Sequence, residues 1–103
     1  MRQYVGVPFD QAPCWDLCRR VYLEQFDIAL PEIGGPAPPI VAMDKPEEGC
    51  LVRVRRVAPL SEHWGIYTSG HVLHAQRPSS AMIPLRRFLQ SHPHTEFFKV
   101  LPA

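Results

Sequence analysis

The stretch DQAPCWDLCRRVYLEQ, residues 10–25, decides how the rest of this chain is interpreted, because it carries the clearest helical period in the sequence. Apolar side chains recur in it at intervals of three and four residues, the stripe of a helix packed on a core. That stripe consists of Cys14, Leu17, Cys18, Val21 and Tyr22. The pattern predicts an amphipathic helix with Cys14 near its N-terminal end, at the buried edge of the stripe.

The segment that follows the helix has a different character. Residues 31–46 hold five prolines and a Gly34-Gly35 pair without a helical or strand period. Such a composition predicts an irregular surface connection, and residues 40–42 could add a short edge strand to a sheet. A connection of this length is often functional or mobile.

The period then changes from helical spacing to alternation. Residues 49–56, 62–68, 71–76 and 96–101 are predicted strands, and residues 84–89 a helical turn. The alternation in residues 49–56 predicts one solvated face that includes Arg53 and Arg55. The order predicts an α+β fold in which one helix packs on an antiparallel meander of about four to five strands.

Composition narrows the class of protein. The chain has 103 residues, which predicts a single domain over residues 1–103, and 46% of them are hydrophobic. A net charge of +1 argues against a nucleic-acid partner. We expect no membrane span and no secretory signal, and hence a chain that is cytoplasmic when made. Three cysteines indicate reduced thiols rather than a disulfide framework.

Two histidines are predicted to share one face of a hairpin. With a two-residue loop at Ser69-Gly70, paired residues have numbers that sum to 139, so His63 and His74 become diagonal neighbours on the same face. A three-residue loop would place them on opposite faces. The loop length is therefore a test of the arrangement.

These histidines and the helical cysteine suggest a nucleophilic site. A thiol at a helix N-terminus is favoured as thiolate, a neighbouring imidazole takes its proton, and a second polar side chain orients that imidazole. Packing the Cys14 helix against the face that carries His63 and His74 would assemble all three. The alternatives are that these are ordinary core residues, or that Cys14, Cys18, His63 and His74 ligate zinc, although their spacing is unusual for zinc.

The same residues carry a family resemblance. Cys14-Trp15-Asp16-Leu17, Val21-Tyr22 and Ile28-Ala29-Leu30-Pro31, followed by His63-Trp64-Gly65-Ile66-Tyr67 and Val72-Leu73-His74-Ala75, resemble motifs of the NlpC family of papain-like cell-wall cysteine peptidases, in particular its phage tail-assembly members. The resemblance implies a papain-like fold without cofactor or metal, and hydrolysis of peptide bonds in peptidoglycan stem peptides. It also implies that phage tail proteins are partners of the chain, and that the chain is carried in a virion tail and acts at the bacterial cell wall.

Carried over by position, the resemblance implies Cys14 as nucleophile, His63 as general base and His74 as the third polar residue. Tyr4 becomes a candidate for the oxyanion hole, and Trp15 and Trp64 become candidates for the substrate groove. The chain departs from the family pattern at two positions, with Pro13 in place of an acidic residue and Asp16 in place of a small one. These departures motivate a second hypothesis, a degenerate member that acts as a structural or binding module in tail assembly. A related acyltransferase is a third.

Overall fold

The computed structural model describes residues 1–11, 14–32, 35–36, 39–55 and 63–101. After a short 3-10 turn over Arg2–Tyr4, the helices and strands follow in a fixed order. They are α1 (Cys14–Phe26), β1 (Ile40–Met43), β2 (Leu51–Val54), β3 (His63–Thr68), β4 (His71–His74), β5 (Ala81–Pro84), α2 (Leu85–Ser91) and β6 (Thr95–Val100).

The strands form one antiparallel sheet in the order β1-β6-β2-β3-β4-β5. The predicted α+β class is confirmed, and so is the short edge strand, which is β1 paired with β6. The predicted strand number and the simple meander are wrong. The described sheet has six strands, because β5 adds an edge beyond β4 and β6 returns between β1 and β2.

The β3–β4 hairpin has the predicted two-residue turn. Gly65 pairs with His74 and Thr68 pairs with His71, so each pair sums to 139. Ser69 and Gly70 both have positive φ, of 49° and 77°. This backbone matches the twist of the flanking strands, and the register it sets puts His63 and His74 on one face.

The sheet is covered on both faces. The α1 face joins the helix stripe to sheet residues that include Leu51, Ile66, Leu73 and Phe98. The opposite face, the α2 face, is built from Val52, Val54 and Val72 under Phe88 of α2. The alternating side chains of each strand therefore enter two separate cores.

Because both faces of β2 are covered, the predicted solvated face of this strand is wrong. Leu51 and Val52 on its two faces are both fully buried. Arg53 packs its guanidinium 4.5 Å from the ring centroid of Phe98 and forms an ion pair with Glu96, with only 14% of its side chain exposed. Arg55, which is two-thirds exposed, also reaches Glu96.

The segments next to α1 are held by hydrogen bonds. Trp15 Nε1 donates to the carbonyl of Pro31 at 2.8 Å, and Arg19 Nε donates to the carbonyl of Leu30 at 3.2 Å. The start of the proline-rich connection is thereby fixed along the helix. No helix among the described residues is long and apolar enough to cross a membrane.

Candidate functional site

Three predicted site residues lie at the ends of their elements. Cys14 is the first residue of α1, His63 is the first residue of β3 and His74 is the last residue of β4. The two histidines are buried, while Cys14 is half-buried at the margin of the α1 core. Element ends are the usual positions of reactive side chains, because they reach the surface while a rigid scaffold holds them.

The two histidines form a direct hydrogen bond. His63 Nε2 lies 2.9 Å from His74 Nδ1, and the two rings are perpendicular, with centroids 5.1 Å apart. This confirms that the two side chains share a face, and it engages one particular nitrogen of each ring.

His74 is held in its neutral form. Burial, together with the nearby charge of His92, lowers the pKa of His74 from 6.5 to about 4. At neutral pH its ring therefore carries one proton and keeps one nitrogen as an acceptor. A neutral His74 can accept a hydrogen bond from His63 when His63 becomes an imidazolium, whereas a charged one would oppose it.

The ring proton of neutral His74 can lie on Nε2 or on Nδ1. With the proton on Nε2, His74 Nδ1 accepts a hydrogen bond from Nε2–H of His63. With the proton on Nδ1, His74 donates the hydrogen bond to Nε2 of His63 instead. Among the described residues, His74 Nε2 is buried without a hydrogen-bond partner, and the Phe88 ring stands edge to face with this imidazole at 5.3 Å between centroids. The pair is thus enclosed by apolar surface on the side of α2.

The imidazole pair and helix α1 lie on opposite faces of the sheet, whereas the sequence predicts that they share one. His63 lies opposite Val54 and His74 lies opposite Gly65 in the strand register, so both imidazoles belong to the α2 face. Helix α1 covers the other face, through contacts with residues such as Ile66 and Leu73. The prediction that α1 packs on the imidazole face is wrong, because side chains alternate along β3 and the larger apolar ones follow His63 by an odd number of positions.

The beginnings of α1 and β3 are nevertheless neighbours. The ring of Trp15, next to Cys14, lies 4.9 Å from the ring of Trp64, next to His63. The residues next to Cys14 and His63 are therefore in contact, although Cys14 belongs to the α1 core and His63 to the α2 face.

The tryptophans predicted for a substrate groove have structural contacts. Trp15 is 7% exposed and binds the Pro31 carbonyl through its indole nitrogen. Trp64 is half-buried between Trp15 and Phe98, on the sheet face opposite to His63. Both rings shape the end of the sheet near Cys14.

Tyr4 does not lie at the predicted oxyanion position. Its hydroxyl donates to Glu24 Oε1 at 2.8 Å and accepts from Gln25 Nε2 at 3.1 Å. Glu24 lies ten residues beyond Cys14, which is about 15 Å along a helix. Tyr4 therefore anchors the C-terminal end of α1, and the prediction of an oxyanion role at Cys14 is wrong.

The other two cysteines differ from Cys14. Cys18 and Cys50 are buried, and burial raises the pKa of each thiol. None of the three cysteines forms a disulfide. Cys14 is the cysteine with partial access to solvent, and the buried pair supplies an internal reference for its reactivity.

The sequence predicts no role for His92, which the structure places beside the imidazole pair. The His92 ring lies 6.2 Å from that of His63 and 4.5 Å from that of Phe88, measured between centroids. Its position continues the inward spacing of Leu85 and Phe88 by one more turn. That spacing was a usable signal, although Pro93 directly after it suggested a loop.

Comparisons with known proteins give no match. The chain matches no protein family model, no curated protein and no solved structure. Among the described residues, no group of three histidine, cysteine, aspartate or glutamate side chains is placed to hold a metal ion.

Proposed function

We propose that this protein is a papain-like cysteine hydrolase of the NlpC type, with Cys14 as nucleophile, His63 as general base and acid, and His74 as the residue that orients His63. The observation that supports this most is the buried hydrogen bond between His63 Nε2 and His74 Nδ1. A base whose orientation is fixed by a second polar side chain is the arrangement that activates a nucleophile, and in this proposal His63 acts through Nδ1, the ring nitrogen that the bond to His74 does not use.

The proposed reaction is hydrolysis of an amide through a thioester. The Cys14 thiol gives its proton to His63 Nδ1, and the thiolate attacks the amide carbonyl carbon. His63 returns the proton to the leaving amine as the carbon–nitrogen bond breaks. Water then attacks the thioester while His63 takes one of its protons, and the carboxylic acid leaves as Cys14 regains its thiol.

His74 contributes by staying uncharged. During both steps His63 passes through the imidazolium form, whose Nε2–H needs an acceptor. The low pKa of His74, which burial causes, keeps its Nδ1 available as that acceptor at neutral pH. The substrate class follows from the sequence resemblance: peptide bonds of peptidoglycan stem peptides, reached from a phage tail.

A thiol-labelling experiment tests this proposal. We expect iodoacetamide to alkylate Cys14 at least about tenfold faster than Cys18 or Cys50 near pH 7, because the thiolate is the reactive form. Since exposure alone would also favour Cys14, the deciding comparison is with a His63→Gln variant, which should lose most of that rate. His71→Gln, at the other end of the hairpin, is the matched control and should keep it.

Activity is measured on purified peptidoglycan, by the release of new amino groups. Cys14→Ser and His63→Gln should each abolish the release, whereas Cys50→Ser should retain it. An unchanged Cys14 labelling rate in His63→Gln, together with no release by the unaltered chain, would overturn the proposal.

A non-catalytic module is the second candidate. The position of the imidazole pair on the α2 face, away from the core of α1, favours it. In that case His63→Gln leaves Cys14 labelling unchanged, and the chain binds peptidoglycan or a tail protein without turnover.

A further inference from the structure

We propose that His92 is a positioning residue of this site, closing the His63–His74 pair on the α2 side so that the pair stays dry and in one orientation. This inference rests on the proposed function for its catalytic meaning. The protonation of His74, which the inference says depends on His92, can be measured without an activity assay.

Four rings form one cluster at this end of the sheet. His63 and His74 share their hydrogen bond, Phe88 packs against His74, and His92 packs against both Phe88 and His63. His92 thus reaches the ring of the proposed base and also the Phe88 ring that packs on His74. Both imidazoles of the pair are buried.

The backbone holds His92 firmly in that place. His92 is the C-cap of α2, and its backbone N–H donates to the carbonyl of Phe88 at 2.9 Å. Its carbonyl accepts from Thr95 Oγ1 at 2.6 Å. Pro93 cannot continue the helix, so the chain turns immediately afterwards into β6. A residue whose backbone is fixed on both sides in this way is suited to positioning its neighbours.

The ionisable neighbours of His74 are few. In the strand register His74 lies opposite Gly65 of β3 and Ala81 of β5, and neither has an ionisable side chain. From α2 it meets the ring of Phe88. His63 acts on His74 through their hydrogen bond and His92 acts through its charge, so a change at His92 should alter the protonation of His74.

The test uses nitrogen-detected NMR titration of the imidazoles in the full chain. In His92→Ala, water reaches the pair and the neighbouring charge is lost, so the pKa of His74 should rise from about 4 toward its ordinary 6.5. In His92→Phe, the ring remains, so the pKa should stay well below 6.5. His94→Ala, an exposed histidine two residues further on, is the control and should change nothing.

Cys14 labelling gives the catalytic readout. His92→Ala should slow it several-fold, and His92→Phe should restore most of the rate. An unchanged His74 titration in His92→Ala overturns the inference even when Cys14 is active. If the His74 titration shifts in His92→Ala but Cys14 of the unaltered chain is unreactive, the role of His92 is supported and the hydrolase is rejected. If His92→Ala does not fold, a His74 titration in His92→Phe that matches free histidine overturns the inference.

Discussion

The buried imidazole of His74 couples the site to the stability of the whole chain. It is 5% exposed, and the folded protein stabilises its neutral form relative to its charged form. An unfolded chain has no such preference, so its histidines titrate near their ordinary pKa. The residue that orients the base is therefore also a pH-sensitive part of the fold.

The free energy of unfolding should fall as the pH is lowered through the window between 6.5 and 4. In that window the unfolded chain binds a proton at His74 that the folded chain rejects, and below it both states bind the proton. The shift corresponds to roughly 3 kcal/mol. Urea unfolding at about pH 7 and about pH 4.5 measures the loss.

His74→Asn provides the comparison for this loss. It should be less stable than the unaltered chain near neutral pH, yet its stability should depend less on pH across the same window. His71→Gln should keep the full dependence. An equal pH dependence in His74→Asn would show that other groups cause the acid loss.

At the scale of the element, the β3–β4 hairpin is the unit that builds the site. Its turn sets the register, and Gly65 permits the strands to approach beside the imidazoles. A Cβ on Gly65 would lie 2.8 Å from the carbonyl oxygen of Leu73 and 3.2 Å from His74 Cβ. The first contact is with backbone, which cannot move aside without displacing β4.

Gly65→Ala should therefore destabilise the protein by about 1–3 kcal/mol and slow Cys14 labelling as well. Gly70→Ala is the matched comparison, because a Cβ there meets nothing within 4 Å although its φ is +77°. It should cost about 1 kcal/mol through backbone strain alone and leave labelling unchanged. Urea unfolding and iodoacetamide labelling of both variants separate the two effects, and equal labelling rates would contradict a role for Gly65 in the site.

At the scale of the whole molecule, the sheet separates two cores that have different roles. The α1 face holds the larger core and carries Cys14 at its margin. The smaller α2 face holds the four-ring cluster beside Val54 and Val72. Substitutions in the α1 core should mainly lower the free energy of unfolding. Substitutions in the α2 core should change the reactivity of the site before they change stability.

Two leucines of α1 test which face of this helix enters the larger core. Leu17 is 1% exposed in the α1 core, so Leu17→Ala should cost about 2–5 kcal/mol of unfolding free energy. Leu23 on the same helix is 55% exposed, and Leu23→Ala should change stability by less than about 0.5 kcal/mol. Thermal and urea unfolding would measure both, and a similar loss for the two variants would contradict the assigned helix face.

Local patterns in the sequence determined the helix stripe, most of the strands, the hairpin turn and the shared face of His63 and His74. Each of these depends on neighbours along the chain, through the helical period of 3.6 residues or the strand period of two. Strand β5 escaped the sequence interpretation because Ala81–Pro84 has no alternation of its own and forms by pairing with β4.

Only the tertiary structure decided which face of the sheet each helix covers. It placed β2 inside the sheet, moved Tyr4 to the far end of α1, and brought His92 against His63. These outcomes depend on contacts between residues distant in the chain, and periodicity within one segment cannot specify the partner on the other side of a sheet. Alternation showed that the two imidazoles share a face, but the packing of α2 decided what covers them.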